Sequence, residues 1–208
     1  MLPSSKRIGE ENMKRLQIGV MGSAADLNYS KEIEAIAEQI GELIAKSGNI
    51  TVYGAEKDYD SLSTAAAKGA KRYDGLTIGV TYGKGKEIFD KNNTDITIVT
   101  GLERGGGREF ILVNSCDAII SVSGGSGTLT ELAIAYQSDI PMIALIGTSG
   151  WSDKMANEFF DSRKRRKVLG ASTAEEAVNL AIQQANEKIN KSNNTPMNNL
   201  NNEVQTCK

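Results

Sequence analysis

The sequence predicts an α/β fold, with a doubly wound (Rossmann-like) parallel sheet and helices on both faces, on the basis of three observations. Short apolar runs of strand length alternate about six times with segments whose apolar residues recur at helical spacing. Glycines bound most of these runs. The 208 residues are enough for one ordinary domain with a sizeable core.

Composition divides the chain into three parts. Residues 1–14 are polar and predict a flexible lead-in, while residues 15–185 contain the alternating pattern and predict a single Rossmann-like domain. Residues 186–208 are rich in Asn and Lys and offer little to bury, so we expect a disordered tail.

The first half of the chain predicts four strands and two helices. The strands are expected at residues 16–21, 50–53, 76–80 and 96–99. Ser30 is a candidate cap for a first helix that Gly48 ends, and Ser61 is a candidate start for a second.

The second half predicts a helix over residues 108–116, with Phe110, Ile111 and Val113 facing inward. Strands are expected at residues 118–122 and 141–146, with a helix between them. A last helix begins near Thr173, because Glu176 stands at capping-box spacing from it.

The stretch from residue 117 to residue 136 is the strongest functional signal. An apolar strand runs into a glycine turn and then into a helix, the arrangement that presents free backbone N–H groups to an anion. It is neither the dinucleotide fingerprint nor the P-loop, since no Lys-Ser/Thr pair follows the last glycine. The residues expected to bind a phosphate are Gly124, Gly125, Ser126, Gly127 and Thr128.

Two other turns follow strands at the same expected edge of the sheet, where ligands of such folds bind. Gly22 and Ser23 follow the first strand and Gly54 follows the second. We include all three residues in a nucleotide- or sugar-phosphate-sized site, although a tight turn explains Gly22 and Ser23 equally well.

Arg108 and Glu131 are the charged candidates for this site. A cation near a helix start opposes the helix dipole, so Arg108 predicts a nearby anion such as a bound phosphate or Glu131; bulk water is the alternative. Glu131 is either a helix-start charge or a carboxylate aimed at a sugar or a water molecule.

Composition excludes several function classes. The chain has no histidine, which removes Ser-His-Asp and Cys-His catalysis and histidine metal sites. We expect no metal and no cofactor. A net charge of −2 gives no support for nucleic-acid or membrane binding. Without a disulfide framework, an apolar span or a signal peptide, a cytoplasmic protein is expected.

The central stretch resembles the signature of the Lonely Guy (LOG) family, also called "lysine decarboxylase-like", whose pattern is Pro-Gly-Gly-x-Gly-Thr-x-x-Glu. Ser123 stands in place of the proline, and the glycines, Thr128 and Glu131 match. Arg108 keeps the family's spacing of nine residues before Asp117. The order of elements is more similar to a neighbouring subgroup, the Rossmann-fold nucleotide-binding proteins related to the molybdenum cofactor carrier protein.

The resemblance implies a homodimer that hydrolyses the N-glycosidic bond of a nucleoside 5′-monophosphate, with Arg108 and Glu131 as catalytic residues. Such a reaction has an oxocarbenium-like transition state that a carboxylate can stabilise.

One departure from the family opens alternatives. The family's second glycine cluster is replaced by Gly54 followed by Ala55 and Glu56, in a loop that brings in acids able to repel a phosphate. A non-catalytic carrier or sensor of a nucleotide or of a phosphate-bearing pterin is therefore a second hypothesis. A DNA-binding module is a third, supported only by the basic run at residues 163–167.

Overall fold

The computed structural model describes residues 14–103 and 107–193, which form seven strands and six helices. The strands are β1 (Gln17–Gly22), β2 (Ile50–Ala55), β3 (Thr77–Thr81), β4 (Ile96–Val99), β5 (Ala118–Val122), β6 (Met142–Leu145) and β7 (Leu169–Ala171). The helices are α1 (Lys31–Lys46), α2 (Leu62–Lys71), α3 (Arg108–Asn114), α4 (Ser126–Gln137), α5 (Gly150–Met155) and α6 (Ala174–Asn193). Short 3₁₀ turns follow β1 at Ala25–Leu27 and precede β4 at Lys91–Asn93.

All seven strands are parallel, in the order β4-β3-β2-β1-β5-β6-β7. The chain proceeds outward from β1 to β4 and then returns to β5 on the other side of β1. The order therefore reverses between β1 and β5, and this is the switch point at which doubly wound sheets bind ligands. The predicted fold class is confirmed, although the three-residue β7 is too short to be recognised in the sequence.

Each face of the sheet is covered by helices, because alternate strand residues point to opposite faces. Ile18 and Val20 of β1 pack with α1, α2 and α6, whereas Met21 packs with α3 and α4 on the other face. Burial on both faces explains why the central strands are continuous apolar runs.

The disorder predicted from residue 186 onward does not hold for residues 186–193, because α6 continues as a helix to Asn193. Its start matches the prediction, since the Glu176 N–H donates to Thr173 Oγ1 at 3.1 Å. The remainder of the predicted tail and residues 1–13 of the lead-in lie outside the described residues. Within the described part of the chain, no helix combines the length and apolarity that a membrane crossing needs.

Candidate functional site

A cavity of about 220 Å³ opens at the carboxyl ends of the strands, beside the switch point. Its walls come from the loops after β1, β2 and β5 and from the first turns of α3 and α4. The lining residues are Gly22, Ala24, Asp26, Leu27, Glu56, Tyr59, Arg108, Glu109, Gly125, Ser126, Gly127, Thr128 and Glu131.

Seven of the ten predicted site residues line this cavity, and three do not. Those in the wall are Gly22, Arg108, Gly125, Ser126, Gly127, Thr128 and Glu131. The other three, Ser23, Gly54 and Gly124, lie behind the wall and hold its parts in place, as their contacts show.

The first turn of α4 presents backbone donors to the cavity. Gly125 is the N-cap residue, and no side chain caps the helix. The first intrahelical bond runs from Leu129 N to Gly125 O at 3.1 Å, so the amides of residues 126–128 have no acceptor within the helix. Ser126 and Gly127 are exposed, which leaves this turn open to an anion.

Ser23 and Gly124 fix the shape of the turn. The Gly124 N–H donates to Ser23 Oγ at 2.9 Å, and the Ser23 hydroxyl donates to Ser123 Oγ at 3.0 Å. Gly124 has φ +102°, and an added Cβ there would lie 2.4 Å from Thr128 Cβ. Glycine is therefore required at this position for both its conformation and its lack of a side chain.

Arg108 is the central cation of the cavity and is only 4% exposed. Its Nη2 lies 3.3 Å from Glu56 Oε1, and its Nε lies 3.5 Å from Glu109 Oε1. Within the described part of the chain, Nε has no hydrogen-bond partner, although it is buried. A buried donor without an acceptor is costly and favours a ligand acceptor at this position.

Gly54 makes room for this guanidinium. A Cβ at residue 54 would lie 2.2 Å from Arg108 Nη1 and 3.3 Å from Leu112 Cδ2. Gly54 is predicted to allow the close approach of a ligand, but in the structure it allows the close approach of Arg108 to β2.

Of the two anions predicted beside Arg108, Glu131 forms no ion pair with it among the described residues, whereas Glu56 and Glu109 do; the phosphate stays a prediction. The sequence indicates Glu56 only as an acid that would repel phosphate, and it gives no reason to single out Glu109. The pairing of Glu56 with Arg108 depends on bringing the loop after β2 against α3, which no sequence pattern in either segment indicates.

Glu131 lies one turn into α4 and is buried at 7% exposure. Its pKa is raised to about 8, mainly by burial; Arg108 lowers the pKa, and Glu109 and Glu56 raise it. The raised pKa favours the protonated form of Glu131, which can donate a hydrogen bond.

The orientation predicted for α3 is wrong for two of three residues. Phe110 and Ile111 are 58% and 41% exposed, whereas Val113 is buried as expected. The buried face of α3 contains Arg108, Glu109 and Leu112. The charged first turn faces inward because Arg108 pairs with Glu56 beside the cavity. Apolar spacing alone places the wrong side of this short helix against the sheet.

Other predicted features lie away from the cavity. Cys116 is buried between α3 and β5, and burial raises the pKa of its thiol. In the basic run, Arg163 pairs with Asp161, and Arg166 with Asp139, which precedes β6 at the amino end of the sheet. Among the described residues, no three His, Cys, Asp or Glu side chains are grouped to hold a metal ion.

Known proteins are similar to this chain over most of its length. A protein of Archaeoglobus fulgidus of uncharacterised function is 40% identical over 125 residues, 60% of this chain and 76% of that protein. The molybdenum cofactor binding protein of Rippkaea orientalis is 31% identical with a TM-score of 0.68, covering 82% of this chain and 98% of its own. The molybdenum cofactor carrier protein of Chlamydomonas reinhardtii is 33% identical with a TM-score of 0.68, covering 84% and 99%.

These similarities confirm the predicted relationship to the LOG-like superfamily and to the subgroup that contains molybdenum cofactor carriers. The model of the SLOG cluster4 family matches residues 15–178, which include every strand, the glycine turn and the complete cavity wall. The chain belongs to the SLOG cluster4 family.

Proposed function

We propose that this protein binds a phosphate-bearing small molecule, either a nucleoside 5′-monophosphate or a phosphorylated pterin, with the phosphate on the first turn of α4. The observation that supports this best is that two sets of donors face one cavity. They are the amides of residues 126–128, which lack helical acceptors, and Arg108, which lines the cavity and whose buried Nε has no hydrogen-bond acceptor among the described residues.

The dimensions of the cavity favour a ligand that enters only in part. Pockets that enclose a small molecule have volumes of about 300–1,000 Å³, and this cavity has about 220 Å³. A phosphate and an adjoining group fill such a space. The remainder of the ligand then extends past the exposed residues Ser126 and Gly127.

A carrier or sensor is the function we favour. Two of the similar solved structures are described as molybdenum cofactor binding and carrier proteins. Binding alone also makes no demand on the charge of Glu131, whereas stabilising an oxocarbenium ion requires an ionised carboxylate, which a pKa near 8 disfavours at neutral pH.

Hydrolysis of a nucleoside 5′-monophosphate to free base and ribose 5-phosphate is the second candidate. One observation favours it: Glu131, whose raised pKa favours the protonated form, lines the same cavity as Arg108. In this version Glu131 acts as a general acid that donates its proton to the departing base, which is a change from the stabilising role that the family resemblance implies.

A ligand panel separates the two candidates. The protein is incubated with the common nucleoside 5′-monophosphates and with 6-hydroxymethylpterin monophosphate, while melting temperature and free base are both measured. A rise in melting temperature without base release supports the carrier. Base release that Glu131→Gln abolishes establishes the hydrolase, and no response to any of these ligands contradicts both.

The placement of the phosphate is tested by Ser126→Asp. A carboxylate at the exposed first position of α4 is favourable to the helix dipole, so folding is expected to be maintained. It would repel a phosphate bound to the same turn and weaken binding by about tenfold. Thr130→Asp adds the same charge to an exposed position of the same helix, outside the cavity wall, and is the matched control.

The proposal includes a homodimer in the cytoplasm, as the family resemblance implies. The exposed Phe110 and Ile111 on α3 support self-association, because large apolar side chains on one helix face often mark an interface. Light scattering after size-exclusion chromatography, with Phe110→Ser as the variant, tests the dimer.

A further inference from the structure

The loop after β2 brings two side chains into the cavity that phosphate binding does not use. Glu56 is buried at 9% exposure, and Tyr59 is half-buried three residues further along the same loop. Leu27 lines the cavity from the loop after β1 and is 53% exposed. An acceptor, an aromatic ring and an exposed apolar side chain thus lie around one opening.

We propose that the ligand has a planar nitrogen heterocycle with adjacent N–H and NH₂ donors, the 2-amino-4-oxo edge that guanine and pterins share, and that Glu56 selects it. This inference rests on the proposed function and deepens it by naming the class of ligand.

The chemistry of a carboxylate fits this edge. Two neighbouring donors of the ring can each meet one oxygen of Glu56, as in the pairing of carboxylates with other two-donor groups. The two oxygens of a carboxylate together accept about four hydrogen bonds. Glu56 can therefore accept from a ligand while it keeps contacts such as the one with Arg108 Nη2.

The same carboxylate discriminates against other bases. Adenine presents a ring-nitrogen acceptor at the equivalent position, and a lone pair directed at a carboxylate is repelled. Hypoxanthine keeps the ring N–H but lacks the amino group, so one of the two hydrogen bonds is lost. Repulsion and a missing donor are both established routes to specificity.

Leu27 and Tyr59 supply the contacts that a planar ring requires. An aromatic side chain stacks on a heterocycle in an offset or edge-to-face arrangement, and an apolar side chain covers the opposite face. Leu27 also lies against the glycine turn, since a Cβ at Gly125 would be 2.9 Å from Leu27 Cδ1. The ring contacts and the phosphate site are therefore adjacent.

The inference is tested first on the wild-type protein by isothermal titration calorimetry. GMP is compared with IMP, and 6-hydroxymethylpterin monophosphate with the corresponding lumazine, in which an oxo group replaces the amino group. We expect the amino-bearing member of at least one pair to bind about tenfold more tightly. The pair that shows the preference tells whether the ligand is a guanine nucleotide or a pterin. Preferences below twofold in both pairs overturn the inference.

Glu56→Gln assigns the preference to a residue. We expect it to reduce the ratio of affinities within the preferred pair to below about twofold, because the amide replaces one acceptor with a donor. If Glu56 only neutralises Arg108, both members of the pair weaken equally and the ratio is unchanged, which overturns the assignment. Asp58→Asn is the matched control: it removes the same charge from the same loop, at an exposed residue outside the cavity wall whose carboxylate accepts from the Tyr82 hydroxyl.

Failure of the proposed function and failure of this inference give different experimental results. If no monophosphate of the panel binds wild-type protein, the proposed function is overturned, and this inference with it. If monophosphates bind but GMP and IMP, like the two pteridines, are equivalent, the phosphate site stands and only the inference is overturned. The wild-type comparison does not depend on whether any variant folds.

Discussion

Two loops at the same edge of the sheet differ in what they bring to the cavity. The turn between β5 and α4 contains Gly124 and Gly125, and together with the first turn of α4, which includes Gly127, it presents backbone N–H groups. At the second loop, Gly54 at the end of β2 is the one glycine, and the loop between β2 and α2 adds acids, of which Glu56 lines the cavity. One wall is therefore suited to an anion and the other to hydrogen-bond donors.

This difference explains why Arg108 lies where it does. An arginine facing the glycine turn alone would add to a cluster of positive dipoles, but Glu56 and Glu109 on the acidic side compensate its charge. Glycine at position 54 allows that approach, whereas glycine at position 124 allows the turn itself. The two loops use the same residue type for different purposes.

The largest expected effect on stability comes from removing the cation that Glu56 and Glu109 contact. Arg108→Met removes the cation from the buried pairs with Glu56 and Glu109, and removing one member of a buried ion pair costs about 3–5 kcal/mol of stability. Urea denaturation followed by circular dichroism measures it. Arg72→Met removes a cation from the exposed pair with Glu38, so it should cost less than about 1 kcal/mol. Equal costs for the two variants would show that the buried cluster is not what stabilises this loop.

The protonated state of Glu131 gives the next effect. Its pKa rises from the ordinary glutamate value of 4.5 to about 8 in the folded chain, so the folded state holds a proton that the unfolded state has released between these values. Stability contributed by this group is complete below about pH 4.5 and is lost as pH rises through 8. We expect a slope of up to about −1.4 kcal/mol per pH unit in this window.

Glu131→Gln should flatten this slope, because the amide is neutral at every pH. The measurement is urea denaturation at half-unit steps from pH 5 to pH 8.5 for both proteins. The chain has no histidine, so no imidazole titrates in the same window. Identical slopes for the wild type and the variant would mean that Glu131 is ionised in the folded protein at neutral pH.

The sequence predicts the fold class and most of the cavity wall because both depend on local patterns. Apolar runs bounded by glycines mark parallel strands, and a doubly wound sheet brings their carboxyl ends to one edge. Gly22 and Gly125 are placed in the site on this basis alone, and both line it.

What the sequence does not predict depends on contacts between distant segments. The pairing of Arg108 with Glu56 joins residues 52 positions apart. The inward face of α3 follows from that pairing and not from its apolar residues, which is why the pattern assigns Phe110 to the wrong side. The sequence does not predict that α6 extends to Asn193, because the last turns of this helix are polar and Ala185 is its last buried residue.

The smallest expected effects on stability come from replacing one glycine beside each loop by alanine. Gly54→Ala places a Cβ 2.2 Å from Arg108 Nη1, so the buried guanidinium must shift, and we expect a loss of about 1–3 kcal/mol. Gly127→Ala meets nothing within 4 Å, and replacing glycine by alanine within a helix stabilises by about 0.5–1 kcal/mol. Urea denaturation of the two variants should therefore give changes of opposite sign. A destabilising Gly127→Ala would show that the first turn of α4 cannot accept even a methyl group, whereas a neutral Gly54→Ala would show that Arg108 is free to move and that the acidic loop does not hold it.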